Sequence, residues 1–121
     1  MVTFTGRVAT GTGDLARWMR TYAGAYRRAT GVDLHPGSLN VELDTHWRVP
    51  AGQLRLTADE VGVDVTLVAC RFMGTEAFAF RTDKAETGGP EEWRTVEILS
   101  PLDLRTTFGL RDGDVVELEL P

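Results

Sequence analysis

Cysteine, lysine and long apolar runs are the scarce features of this sequence. Cys70 is the single cysteine among 121 residues. No intramolecular disulfide framework is therefore available, and a structural zinc site would lack thiolates. A reducing compartment is the expectation, with Cys70 an inert core residue. Twelve of the basic residues are arginine and only Lys84 is lysine. No G-x-x-x-x-G-K-[ST] pattern occurs, which excludes a Walker-type phosphate loop. The opening Met1-Val2-Thr3-Phe4-Thr5-Gly6-Arg7 carries no apolar run of signal-peptide length, and no later stretch approaches a membrane span. A cytoplasmic location without a membrane partner follows as an expectation. With 13 basic against 18 acidic side chains the formal charge is −5, so bulk attraction to nucleic acid or anionic lipid is not a driving force. Any polyanion must be bound locally.

What is present suits one folded domain over residues 1–121: the chain is 42% hydrophobic and 26% charged. Val2 to Ala9 alternates as a strand, and Thr10-Gly11-Thr12-Gly13-Asp14 reads as a loop ending in a helix N-cap. From Leu15 the residues Leu15, Trp18, Met19, Tyr22, Ala25, Tyr26 and Ala29 share one helical side, with Arg17, Arg20, Arg27 and Arg28 nearly opposite; Thr30-Gly31 ends the helix. The aromatic stripe reads as core packing and the arginines as a solvated face. Strands are expected at Ser38–Leu43, Gln53–Thr57, Val63–Phe72, Glu76–Thr82, Arg94–Leu99 and Val115–Leu120. Val63–Phe72 is apolar on both alternating sets and so central. Pro101 to Gly109 reads as a short helix opened by proline and closed by glycine, and Asp83 to Glu92 as a mobile loop. A closed or nearly closed β-barrel with one main helix and a short second helix accommodates these elements.

Three segments bear on chemistry. Gly11-Thr12-Gly13-Asp14, between a strand and a helix, would let backbone N–H groups approach phosphate oxygens, although such glycines also occur wherever a chain turns sharply. Ser38 and Asn40 stand two apart at a strand start, so both side chains share one face and offer neutral oxygens to a hard cation. Two neutral ligands hold a magnesium ion only if waters and substrate phosphates complete its shell, which implies metal arriving with a nucleotide; the competing reading is hydrogen bonding within the turn. Glu97, inside Val96-Glu97-Ile98-Leu99, must face solvent, a partner or a ligand. His35 and His46 lack metal or triad spacing and receive no catalytic role. Asp112-Gly113-Asp114 reads as a tight turn before a strand.

Taken in order, the glycine loop at 11–14, Gly31-Val32-Asp33-Leu34-His35-Pro36-Gly37-Ser38-Leu39-Asn40-Val41, and Glu97-Ile98-Leu99-Ser100-Pro101-Leu102-Asp103-Leu104-Arg105 with Gly109-Leu110-Arg111-Asp112-Gly113-Asp114 resemble the CTP-dependent riboflavin kinases of archaea. The resemblance spans nearly the whole chain. It implies a mainly β, six-stranded cradle-loop barrel that transfers the γ-phosphate of CTP to riboflavin, giving FMN and CDP with Mg²⁺. It further implies nucleotide contacts from Gly11, Thr12, Gly13, Asp14, Leu15 and Ala16 and from Leu102, Asp103, Leu104 and Arg105. Ser38 and Asn40 would hold the metal, and Glu97 and Gly89 would lie at the flavin. The partners it implies are CTP and riboflavin; a monomer is a separate expectation.

The sequence departs from that pattern at three places. Leu15 replaces a usual glycine, Ser38 a usual threonine, and Gly89 a usual threonine near the flavin. Ser38 is a conservative exchange, while Leu15 and the altered flavin loop at Gly89 keep a second reading open, a non-catalytic flavin- or nucleotide-binding barrel. A third uses the arginine face of the helix for RNA.

Overall fold

The computed structural model describes residues 1–11 and 13–121. Its strands are β1 (Val2–Ala9), β2 (Leu39–Leu43), β3 (Leu54–Leu56), β4 (Val65–Phe72), β5 (Thr75–Thr82), β6 (Thr95–Leu99) and β7 (Val115–Leu120). Every pairing is antiparallel, in the order β3-β4-β5-β6-β2-β1-β7, and β4 pairs again with β7 through Arg71↔Glu119 and Phe72↔Leu118. That second pairing closes six strands into a barrel and leaves β3 as an extra edge strand. Closure removes the exposed edges that an open sheet would present.

Period-2 alternation divides the apolar residues between two cores. Val41, Val68, Phe72, Val96, Ile98, Val116, Leu118 and Leu120 fill the barrel interior. Their neighbours on the outer face, among them Val65, Leu67, Phe80 and Leu99, are covered by helices carrying Met19, Ala25, Tyr26 and Val61. The first half of β4 is buried on both faces, as expected of a central strand, whereas Ala69 and Arg71 in its second half are exposed. Cys70 is buried, and burial pushes its thiol up to about 12.

The expected helix over 15–30 is two helices, α1 (Leu15–Thr21) and α2 (Ala23–Thr30), broken at Tyr22 with φ −110° and ψ 26°. The break precedes Ala23-Gly24, where glycine weakens helical continuity, and Tyr22 packs against Gly62. Trp18, placed on the core side by its spacing, is 43% exposed and stacks on Tyr22 instead. Asp14 makes no side-chain cap. The stretch after β3 contains α3 (Ala58–Val61), entered by a capping box between Thr57 and Glu60. The segment expected to be a mobile loop holds α4 (Asp83–Glu86) and a 3₁₀ turn (Glu92–Arg94). The last helix, α5 (Leu104–Phe108), is opened by Asp103, whose carboxylate accepts from Thr106 N–H, and not by Pro101. A proline offers a fixed φ but no acceptor for the free N–H groups of a first turn.

Close approach of β1 to β2 depends on Gly6. A Cβ there would lie 2.6 Å from Val41 Cγ1 and 2.7 Å from the Glu42 carbonyl oxygen. A backbone oxygen cannot rotate away, so Gly6→Ala is expected to lower the unfolding free energy by about 1–3 kcal/mol. Urea denaturation followed by tryptophan fluorescence measures it; an unchanged midpoint would show that the strands separate freely.

Candidate functional site

β1 delivers the chain to Gly11 directly beside β2, because Ala9 and Asn40 are register partners. A Cβ on Gly11 would lie 2.9 Å from Asn40 Oδ1 and 3.2 Å from its Cγ, so Gly11 and this side chain are in contact. Asn40 in turn faces Glu97 across the β2–β6 ladder. Ser38 Oγ donates to Glu97 Oε1 at 2.9 Å and lies 3.4 Å from Asn40 Oδ1. One side-chain cluster, Ser38, Asn40 and Glu97, therefore lies on the outer face of β2 and β6, with Gly11 against it.

Two shallow hollows flank the cluster. One, of about 100 Å³, is bounded by His35, Pro36, Gly37, Ser38, Ser100 and the segment Leu102–Arg105. The other, of about 80 Å³, is bounded by Asn40, Phe80, Thr82, Ala85, Glu92, Thr95 and Glu97. Ser38 borders the first, Asn40 and Glu97 the second. Neither is large enough to enclose a drug-sized molecule, for which about 300 Å³ is the lower bound. A ligand here would lie along the surface and be met by loops.

Electrostatics distinguish the cluster from its surroundings. Partial burial raises the Glu97 carboxyl above the ordinary range, and the Ser38 hydroxyl opposes that shift. Burial, with a contribution from Glu97, raises the nearby Tyr26 phenol to about 12. Because the Ser38 proton points to Glu97, the lone pairs of its hydroxyl and of Asn40 Oδ1 remain available. This is a hard-oxygen donor set, suited to Mg²⁺ provided that waters and a phosphate complete its shell. No cluster of three His, Cys, Asp or Glu side chains that would hold a metal by itself occurs among the described residues.

The residues singled out from sequence fall as follows. Gly11 abuts Asn40, Gly13 and Asp14 are exposed, and Thr12 lies outside the described residues. Leu15 is half-buried and packs against the outer core. Ala16 lies under Gly37, its Cβ 3.8 Å from where a Gly37 Cβ would sit. Leu102 is exposed at the first hollow, Leu104 is buried in the barrel interior, and Asp103 caps α5. Arg105 borders the same hollow. Gly89 adopts φ 104°, a conformation that a β-branched threonine resists, and is not among the residues bordering the Glu97 hollow.

Sequence reasoning missed the wall formed by His35 and Ser100. His35 N–H donates to the Ser100 carbonyl at 2.8 Å, and its Nε2 lies 3.9 Å from Asp103. It also missed Arg81, which is 3% exposed and bonded to the Trp47, Trp93 and Thr95 carbonyls and to Glu86. An arginine at an inward position of an otherwise apolar strand is a readable signal of a buried charge partner.

Residues 8–120 match a family model for CTP-dependent riboflavin kinases, described as the domain of unknown function DUF120. Similar curated proteins are archaeal riboflavin kinases. The Methanocella arvoryzae protein is 32% identical over 122 residues, 95% of this chain and 55% of its own length. The Staphylothermus marinus protein is 25% identical over 117 residues, 93% of this chain and 87% of its own. The Pyrobaculum arsenaticum protein is 30% identical over 123 residues, 95% of this chain and 59% of its own. The chain thus spans little more than half the length of the first and third of these relatives. No helix among the described residues is long and apolar enough to cross a membrane.

Proposed function

The chain belongs to the CTP-dependent riboflavin kinase family, and from that premise we propose that residues 1–121 act as one catalytic domain. It transfers the γ-phosphoryl group of CTP to the terminal ribityl hydroxyl of riboflavin. The hydroxyl oxygen bonds to the γ-phosphorus, the bond from that phosphorus to the bridging oxygen breaks, and FMN, CDP and a proton are released. The observation that carries this reading is the contact between Gly11 and Asn40, with Ser38 and Glu97 beside it and a hollow on either side.

Phosphoryl transfer depends mainly on alignment and on charge stabilisation, which suits a site with no lysine loop. Amides of the glycine turn would donate to phosphate oxygens. Ser38 and Asn40 would hold Mg²⁺, which supplies positive charge against the phosphates. Glu97 would orient the Ser38 hydroxyl while facing the flavin-side hollow. The segment Leu102–Arg105 would border the nucleotide on the other side. No general base is assigned.

Incubation with Mg²⁺, riboflavin and each of CTP, ATP, GTP and UTP tests the proposal. FMN formation with CTP above the other three is the expected outcome. Absence of FMN with all four, accompanied by tight calorimetric binding of riboflavin or CDP, would favour the non-catalytic barrel instead.

A further inference from the structure

As a tight turn, Asp112-Gly113-Asp114 requires little beyond the φ of 90° at Gly113. Its contacts go further. Asp112 Oδ2 accepts from Thr10 Oγ1, across 102 positions of sequence, and Asp112 Oδ1 accepts from Arg105 Nη2 at 2.7 Å. The same Arg105 nitrogen donates to the Ala9 carbonyl at 3.2 Å. Backbone bonds run alongside: Val8 N–H to Asp114 O at 2.9 Å and Gly113 N–H to Val8 O at 2.7 Å. The two residues that precede Gly11 are therefore held from α5 and from the turn before β7 together. The bond from Thr10 foremost, then that from Arg105, keeps the Asp112 carboxyl below its usual range, so it stays ionised at assay pH.

We propose that Arg105, Asp112 and Thr10 form a positioning clamp that fixes the direction in which β1 presents the glycine turn to a nucleotide phosphate chain. The ligand's identity rests on the kinase reading above; the clamp itself rests on the hydrogen bonds. Its physical role is preorganisation. A turn rich in glycine has many backbone states, and its N–H groups bind an anion tightly only when they are already aimed. Arg105 also borders the hollow beside Ser38, so one guanidinium ties that wall to the base of the turn. The clamp predicts that Asp112, outside both hollows, controls nucleotide affinity.

The test titrates CDP with Mg²⁺, and separately riboflavin, into the full chain by calorimetry, alongside amide hydrogen exchange. Asp112→Asn is expected to weaken CDP binding about fivefold to tenfold and leave riboflavin affinity within about twofold. Exchange of the Gly11 and Gly13 amides should accelerate. Thr10→Val should reproduce both effects, and Thr10→Ser should restore wild-type values, which a loss of packing alone would not produce. Unchanged CDP affinity and unchanged Gly11 exchange in Asp112→Asn would overturn the clamp. CDP binding by the wild type without FMN formation would remove the kinase reading and leave this comparison decisive. No CDP binding by the wild type would overturn both.

Discussion

Asn40→Ala is expected to lower kcat about a hundredfold while riboflavin binds within about twofold of wild type. The strand pairing that places residue 40 opposite Ala9 and Glu97 is made by backbone, which alanine retains. What disappears is the carboxamide, whose oxygen lies 3.4 Å from Ser38 Oγ and against Gly11. In the proposed chemistry that oxygen helps to hold the cation accompanying the phosphates, a contribution felt at the transition state more than in flavin binding. Steady-state kinetics with CTP and riboflavin, together with flavin fluorescence titration, separate the two quantities. Parallel losses of kcat and of riboflavin affinity would make Asn40 a structural residue of the turn.

Arg81→Met should destabilise the fold by about 1–3 kcal/mol, the range for leaving buried hydrogen-bonding groups unsatisfied. Arg81 is nearly inaccessible and lies 4.9 Å from the Trp47 ring centroid. It donates to the Trp93 and Thr95 carbonyls at 3.3 and 2.8 Å and to Glu86 Oε2 at 3.0 Å, and it also bonds the Trp47 carbonyl. Methionine would fill much of the volume yet withdraw the guanidinium from all four, of which the Trp93 carbonyl keeps the Trp47 N–H as a donor. Glu86 also accepts from Arg48 Nε at 2.8 Å and from Val49 N–H at 3.0 Å. Its burial raises the carboxyl pKa, but the bonds from Arg48, Arg81 and Val49 outweigh that and hold it below the ordinary 4.5.

The sign follows from linkage. A depressed folded value means that this stabilisation is complete above about pH 4.5 and is lost as the pH falls through the folded value. Urea midpoints at neutral and acid pH should therefore differ less in Arg81→Met than in the wild type. A destabilisation under about 1 kcal/mol at neutral pH would mean that water replaces the guanidinium at little cost.

Legibility from sequence followed the strength of periodicity. The bounds of β1 and β7 agree with their alternating patterns, and the doubly covered first half of β4 agrees with its apolar run. The helix over 15–30 was readable as a stripe, but its break at Tyr22 was not, because the stripe continues through it while packing of the ring against Gly62 is a tertiary fact. Thr57-Ala58-Asp59-Glu60 carried a capping-box signature for α3 that the reading passed over. At the site, Ser38 and Asn40 sharing a face could be inferred from spacing. Their contact with Gly11 and Glu97 depends on which strands neighbour β2, information that no local pattern contains.

The pairing of β1 with β7 reaches from Val2↔Leu120 to Arg7↔Val115, and β4 meets β7 only at Arg71 and Phe72. Contacts of such separation form late, since loop entropy must be lost before they repay it. During synthesis the ring cannot shut until β7 has left the ribosome. Until then β1, β4 and the apolar lining lie open to chaperones and to other nascent chains, and folding should be slow for a polypeptide of this size.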